Sequence, residues 1–200
     1  MKLAVLISGR GSNMATLIEA CESPDYPAEI VLVLSDRAGA TGLAHAMDRG
    51  IATRVIDHEA FDERVDFEAD VTKAIEAAGA ELVCLAGFMR LVTDSFVERW
   101  HDRLINIHPS LLPAFKGLNT HQRALDAGAR FAGCTVHFVD ARLDAGPILA
   151  QATVPVLDED SAESLAGRIL KEEHRIYTEA IQLVLSGKFR IEGRRVIRRL

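Results

Sequence analysis

Apolar residues along this chain follow two alternating rhythms. Short, mostly apolar runs occur at Leu3 to Ile7, Ile30 to Leu34, Leu82 to Ala86 and Leu104 to Ile107, and Thr53 to Ile56 reads as a further short strand. Runs of that length, apolar on both faces, predict strands buried within a parallel sheet. Between them the apolar positions recur at helical spacing. Asn13 to Cys21 places Met14, Leu17, Ile18 and Cys21 on one face, Leu43 to Met47 is stopped by Gly50, and Phe61 to Ala78 is closed by Gly79. The alternation predicts an α/β fold with a doubly wound, mostly parallel, Rossmann-like sheet.

Beyond His108 the rhythm changes. Pro109, Pro113 and Gly117 mark a long loop, and the conformation of 119–131 is left open by the pattern. Thr135 to Val139 and Ile148 to Val154 then alternate as an antiparallel ribbon would, joined by the turn-rich stretch Asp140 to Pro147. Leu165 to Leu185 predicts a last helix with Leu165, Ile169, Ile176, Ala180 and Val184 facing inward. No repeat or linker interrupts the chain, so one domain over 1–200 is expected.

Composition narrows the function classes. With 200 residues the chain can bury a real core, and a formal net charge of −6 disfavours indiscriminate nucleic-acid binding. The one basic cluster is Arg190, Arg194, Arg195, Arg198 and Arg199, expected to be a solvated end. Cys21, Cys84 and Cys134 are odd in number and far apart, against a disulfide framework or a cysteine zinc site and in favour of a reducing compartment. His45, His58, His101 and His121 lack metal-ligand spacing, so no metal is expected. The opening apolar run is too short for a signal peptide or a membrane span, which makes the cytoplasm the expected location.

Two segments carry candidate chemistry. Ser8-Gly9-Arg10-Gly11-Ser12-Asn13 joins the first strand to the first helix, where ligands of open α/β sheets bind. Gly9 and Gly11 permit close backbone approach, and a helix N-terminus suits a phosphate. Met14 stands where a dinucleotide fingerprint needs its third glycine, so NAD is not expected, and no Gly-Lys-Ser/Thr follows for a Walker loop. The loop suits one terminal phosphate; the alternative is an ordinary turn with Asn13 as its cap.

The second segment is Asn106-Ile107-His108-Pro109. Asn106 and His108 stand two apart at the end of an apolar strand, on one face, where polar groups need work or partners. A hydrogen-bonded core histidine is the alternative. Asp144, in the turn-rich stretch, is free to orient an imidazole and favour its charged form. The three suit an amine attacking a carbonyl. Asn106 donates to the oxyanion, His108 stabilises it as a cation and moves a proton, and Asp144 holds His108 and helps remove the amine's proton. His137, between Val136 and Phe138, reads as structural or supporting.

These residues together resemble the glycinamide ribonucleotide transformylases (phosphoribosylglycinamide formyltransferases) of purine biosynthesis, a folate-dependent formyltransferase family. SGRGSN at 8–13, LAGFMRLV at 85–92, NIHPSLLP at 106–113, GCTVHFVDARLDAGPILAQ at 133–151 and EEHRIY at 172–177 occur in the family's order. The resemblance implies the formyltransferase fold, an N-terminal half that binds the phosphate and a C-terminal half that binds folate and carries catalysis. It implies small-molecule substrates, glycinamide ribonucleotide and 10-formyltetrahydrofolate as co-substrate, no nucleic acid or membrane partner, and a monomer or homodimer. It implies that Gly11, Ser12 and Asn13 hold the ribonucleotide's phosphate and Glu173 lies near its ribose. Asn106, His108 and Asp144 would be catalytic. Met89, Arg90, Leu91 and Val92 would line the folate site with Asp140, Ala141, Arg142, Leu143, Asp144 and Asn106, and Arg64 would face the folate's carboxylate tail.

Arg10, Asn119 and Leu170 depart from the family's residues, which leaves substrate contacts less defined than the catalytic three. Two other readings compete. A sibling enzyme would pass the formyl group to methionyl-tRNA or to water, but the expected span has no room for the extra domain either carries. A non-catalytic nucleotide-binding module would explain Gly9 and Gly11 but not Asn106, His108 and Asp144.

Overall fold

The five strand segments expected in the first half become five parallel strands. In the computed structural model, which describes residues 1–199, these are β1 (Lys2–Ile7), β2 (Glu29–Ser35), β3 (Thr53–Val55), β4 (Leu82–Leu85) and β5 (Leu104–His108), in the order β3-β2-β1-β4-β5. That order is doubly wound, with its switch between β1 and β4, as the alternation of strands and helices predicted. β1 and β4 are central, and their apolar residues are almost wholly buried. The chain divides into two compact units, Met1–Asn106 and the residues from Ile107 onward, so β5 runs through the division.

Four helices accompany the first unit's strands: α1 (Ser12–Cys21), α2 (Gly42–Asp48), α3 (Arg64–Ala77) and α4 (Asp94–Arg99). α3 starts later than the apolar spacing suggested. Residues His58–Ala60 form a 3₁₀ turn, Phe61 and Glu63 are extended, and the Phe61 ring packs edge-on against Phe67 at 5.9 Å. Gly79, at φ 69, ends α3 as expected. α4, only 6 residues long, escapes periodicity altogether.

The second unit holds α5 (Thr120–Asp126), β6 (Phe131–Phe138), β7 (Ile148–Pro155), α6 (Ala162–Ser186), β8 (Phe189–Glu192) and β9 (Arg195–Arg198). β6 and β7 form the expected antiparallel ribbon, but the pairing reaches back to Phe131↔Pro155, four residues before Thr135. Gly133 makes this possible, because a Cβ there would lie 1.9 Å from the Ala152 carbonyl oxygen. α6 begins with Ser161 and Ser164 capping each other's backbone N–H, and Leu165, Ile169, Ile176, Ala180 and Val184 are buried as predicted.

The arginine-rich end is solvated as expected, with Arg190, Arg194, Arg195, Arg198 and Arg199 all exposed, but it is ordered. It is a hairpin of β8 and β9 turning at Gly193, with Ile191 opposite Val196. Phe189, opposite Arg198, lays its ring 6.0 Å from Phe138, so apolar anchoring between the arginines orders the segment. Among the described residues no helix is long and apolar enough to cross a membrane.

Candidate active site

In the first unit, β1 ends at Ile7 and the glycine loop follows. Gly11 adopts φ 69 and stands at the N-cap of α1, with no side-chain cap for the helix. Asn13 is therefore not the cap; it is 7% exposed, inside the first turn. The loop is braced from behind by α2, where the Gly42 N–H donates to the Gly9 carbonyl at 3.0 Å. A Cβ at Gly11 would come within 3.1 Å of Met14 Cε and 3.3 Å of the Gly42 Cα. Ser12 is half-buried and Arg10 exposed. A ten-residue helix with an uncapped, glycine-preceded N-terminus offers N–H groups and a positive dipole end to an anion.

The stretch Met89 to Val92 follows β4 and precedes α4. Met89 and Leu91 are exposed at 62% and 59%. Arg90 and Val92 are half-buried, and Arg64, in the first turn of α3, is exposed.

β5 carries Asn106 and His108 two residues apart, hence on one face of the strand. Asn106 is half-buried and His108 is 6% exposed. In the second unit the chain turns back to hold the imidazole at both nitrogens. Nε2 lies 3.1 Å from the Phe115 carbonyl, to which it donates, and Nδ1 lies 3.6 Å from Asp144 Oδ2. The second distance is longer than a direct hydrogen bond. Asp144 Oδ2 accepts the Gly117 N–H at 2.8 Å, while Lys116 Nζ donates to the Leu143 carbonyl at 3.0 Å. Residues 115–117 thus fix His108 and Asp144 together. Asp144 itself has φ 48, a left-handed backbone that an aspartate tolerates better than most residues but that still stores strain.

Sequence reasoning foresaw the Asp144–His108 pairing but not the Phe115 carbonyl or the Gly117 N–H. Pro113 and Gly117 announce a turn there, and nothing in residue type announces which backbone groups it presents. The loop is further tied down by Thr135, fully buried on β6. Its hydroxyl donates to the Ser110 carbonyl at 2.7 Å and accepts the Leu112 N–H at 3.1 Å and Gln151 Nε2 at 3.0 Å. Of the remaining expected residues, Asp140 is half-buried, its carboxylate accepting from the Arg142 backbone N–H at 3.1 Å, and Ala141, Arg142 and Leu143 are exposed. Glu173 is buried at 8% exposure on α6, Asn119 takes a left-handed φ of 56 ahead of α5, and Leu170 is half-buried.

His137 is 1% exposed, with Nε2 3.9 Å from Asp144 Oδ1 and Nδ1 2.8 Å from the Phe138 carbonyl. Burial holds its pKa below 6.5 and the nearby His108 pushes the same way, against the Phe138 carbonyl and the carboxylates of Asp144 and Asp140. Burial likewise lowers His121, again helped by His108. Between the depressed folded value and the ordinary value of 6.5, the unfolded chain holds a proton that the native state lacks. Stability attached to His137 is therefore complete above that ordinary value and is lost as the pH falls below it. His137→Gln is expected to shrink the drop in urea midpoint between about pH 7 and pH 5; an unaltered drop would show that His137 is not the group being charged.

Known proteins resemble this chain over most of its length. Residues 1–181 match the formyl transferase family. The chain is 40% identical over 191 residues to a phosphoribosylglycinamide formyltransferase of Haemophilus influenzae, covering 96% of this chain and 90% of that protein. It is 49% identical over 191 residues to the trifunctional purine biosynthetic protein adenosine-3 of Gallus gallus, covering 96% of this chain but only 19% of that much longer protein. The fold superposes on glycinamide ribonucleotide transformylase 1 of Symbiobacterium toebii with a TM-score of 0.98 at 47% identity, over 100% of this chain and 94% of that one. On the extent of the match and the level of identity, the chain belongs to the formyl transferase family.

Proposed function

We propose that this protein transfers the formyl group of 10-formyltetrahydrofolate to the amine of phosphoribosylglycinamide, the formylation step of de novo purine (IMP) biosynthesis. The observation that carries the reading is His108, a nearly buried imidazole at a strand end, held at both nitrogens with Asp144 beside it. The bacterial relatives that bear this activity in their name match almost end to end.

In this reading the neutral amine attacks the formyl carbon and forms a tetrahedral oxyanion. The Asn106 amide and the His108 imidazolium stabilise it. Nε2–H, given to the Phe115 carbonyl before substrates arrive, is the donor that turns to the oxyanion. Asp144 favours the imidazolium electrostatically and helps carry away the proton the amine loses. Collapse breaks the bond to the folate nitrogen, which takes up a proton and leaves as tetrahydrofolate. Proton transfer and charge stabilisation suffice for these steps, so the reading calls for no metal and no NAD.

Gly11, Ser12 and Asn13 are assigned to the phosphate and Glu173 to the ribose. Met89 to Val92 and Asp140 to Asp144 are assigned to the folate, Asn106 being shared with catalysis, and Arg64 to its carboxylate tail. The exposed apolar side chains of Met89 and Leu91 support a flat heteroaromatic ring as the ligand of that segment. The two units are taken to work as one domain, in the cytoplasm, as a monomer or homodimer and without nucleic-acid or membrane partners.

The deciding experiment supplies formyl-folate with three acceptors in turn: phosphoribosylglycinamide, charged initiator tRNA and water, each with and without a chelator. Rapid, chelator-insensitive transfer to the first alone is expected. Preferential transfer to tRNA or release of formate would overturn the assignment. The phosphate loop has its own expected result. Gly11→Ala forces a side chain into a left-handed backbone and beside the proposed anion site, at a cost of about 1–2 kcal/mol in backbone strain. The KM for the ribonucleotide should rise by roughly tenfold or more, one hydrogen bond to a charged group being worth about that, with the folate KM nearly unmoved. Equal rises in both would place the phosphate elsewhere.

A further inference from the structure

The segment assigned to the folate is pinned at both ends by two buried side chains with no part in the catalytic steps. At its start, the Met89 N–H donates to Ser8 Oγ at 2.8 Å, and the Ser8 N–H donates to the Gly87 carbonyl at 3.1 Å. Ser8 is 7% exposed and follows directly on β1. At its end, the Thr93 N–H donates to Glu68 Oε1 at 2.9 Å, and the Thr93 hydroxyl donates to Glu68 Oε2. Glu68 is 5% exposed on α3. Thr93 in turn caps α4 by accepting the Phe96 N–H at 3.3 Å.

A carboxylate this deeply buried is rare without partners, and here both oxygens are engaged by one residue of another element. Helix-to-helix packing alone would be served as well by an apolar contact. What the two pins share is the stretch between them, whose Met89 and Leu91 side chains stay exposed at 62% and 59%. A short backbone stretch held at both ends has lost much of its conformational freedom before any ligand arrives, so less remains to be lost on binding.

We infer that Ser8 and Glu68 are positioning residues which hold the Met89–Val92 backbone ready for the formyl-folate, setting its affinity and not the rate of chemistry. The inference rests on the assignment of that segment to the folate.

The test has two independent readouts on Ser8→Ala, Glu68→Leu, Glu68→Gln and Thr93→Val. Amide hydrogen exchange without ligands reads the pins themselves. Protection at Met89 should fall in Ser8→Ala, and protection at Thr93 in Glu68→Leu. Steady-state kinetics read their purpose. The KM for formyl-folate should rise about tenfold in Ser8→Ala and about tenfold or more in Glu68→Leu, the usual effect of losing one hydrogen bond and one bond to a charged group. kcat and the ribonucleotide KM should stay within about twofold. Glu68→Gln keeps an acceptor for the Thr93 N–H and should recover most of the loss. If Glu68→Leu fails to fold, Thr93→Val removes the hydroxyl pin alone and should still raise the folate KM severalfold. An active wild type whose variants lose protection yet keep the folate KM, or change both KM values alike, overturns the inference. A wild type that transfers no formyl group overturns the proposed function and with it the folate as ligand, while the exchange data still decide whether the pins exist.

Discussion

His108→Ala is expected to lower kcat by about 10²–10⁴, the usual range for removing a positioned proton-transfer group, with both KM values little changed. The imidazole is 6% exposed and engaged at both nitrogens, so its loss also leaves the Phe115 carbonyl and the Asp144 carboxylate without their partner. Asp144→Asn keeps the shape and can still accept the Gly117 N–H; it removes only the charge that lies 3.6 Å from Nδ1. Its effect should be of similar kind and somewhat smaller. If the carboxylate works by favouring the imidazolium, the double variant should be little worse than His108→Ala, because residues acting as a unit do not add. Stopped-flow or steady-state kcat for the three variants decides the point. Full additivity in activation free energy would mean that Asp144 acts apart from His108.

Asn106→Ala should reduce kcat by about 10²–10³, the effect of deleting one oxyanion donor in comparable sites. Asn106 lies opposite Leu85 in the parallel pairing of β4 and β5, a backbone pairing that does not depend on its side chain. Folate binding, followed by titration with a non-reactive reduced folate, should survive. A kcat close to that of the unaltered protein would reduce Asn106 to a satisfied polar residue at a strand end. Asn106→Asp offers a second view, since a carboxylate cannot donate unless protonated and should be impaired most at high pH.

Much of the fold was legible because burial is periodic. The strands at Leu3 to Ile7 and Leu82 to Ala86 are apolar on both faces since helices must cover both sides of a parallel sheet, and no other element explains such short runs. Helices of 6 and 7 residues at Asp94–Arg99 and Thr120–Asp126 were not legible. They make too few turns for a face to repeat, and the equally short Gly42–Asp48 was foreseen only with Gly50 marking its stop. The terminal arginines are solvated as expected, but the hairpin that carries them was not foreseen, for a related reason. Its arginines dominate the composition, whereas Phe189, Ile191 and Val196 supply the anchoring that orders it.

The sequence by itself determined which side chains could do chemistry and the order in which they occur. Asn106 and His108 fall on one strand face by the two-residue period, Gly11 precedes a helix, and Asp144 sits in a turn, all consequences of local geometry. Only the tertiary structure decided what holds those groups in place. The Phe115 carbonyl at His108, the Gly117 N–H at Asp144, the Ser8 hydroxyl at Met89 and the Glu68 carboxylate at Thr93 are partners brought together by chain folding. Two of the four are backbone groups, which every residue carries and no motif can mark. The others are a serine and a glutamate whose work depends on burial, and burial becomes visible only when distant segments meet.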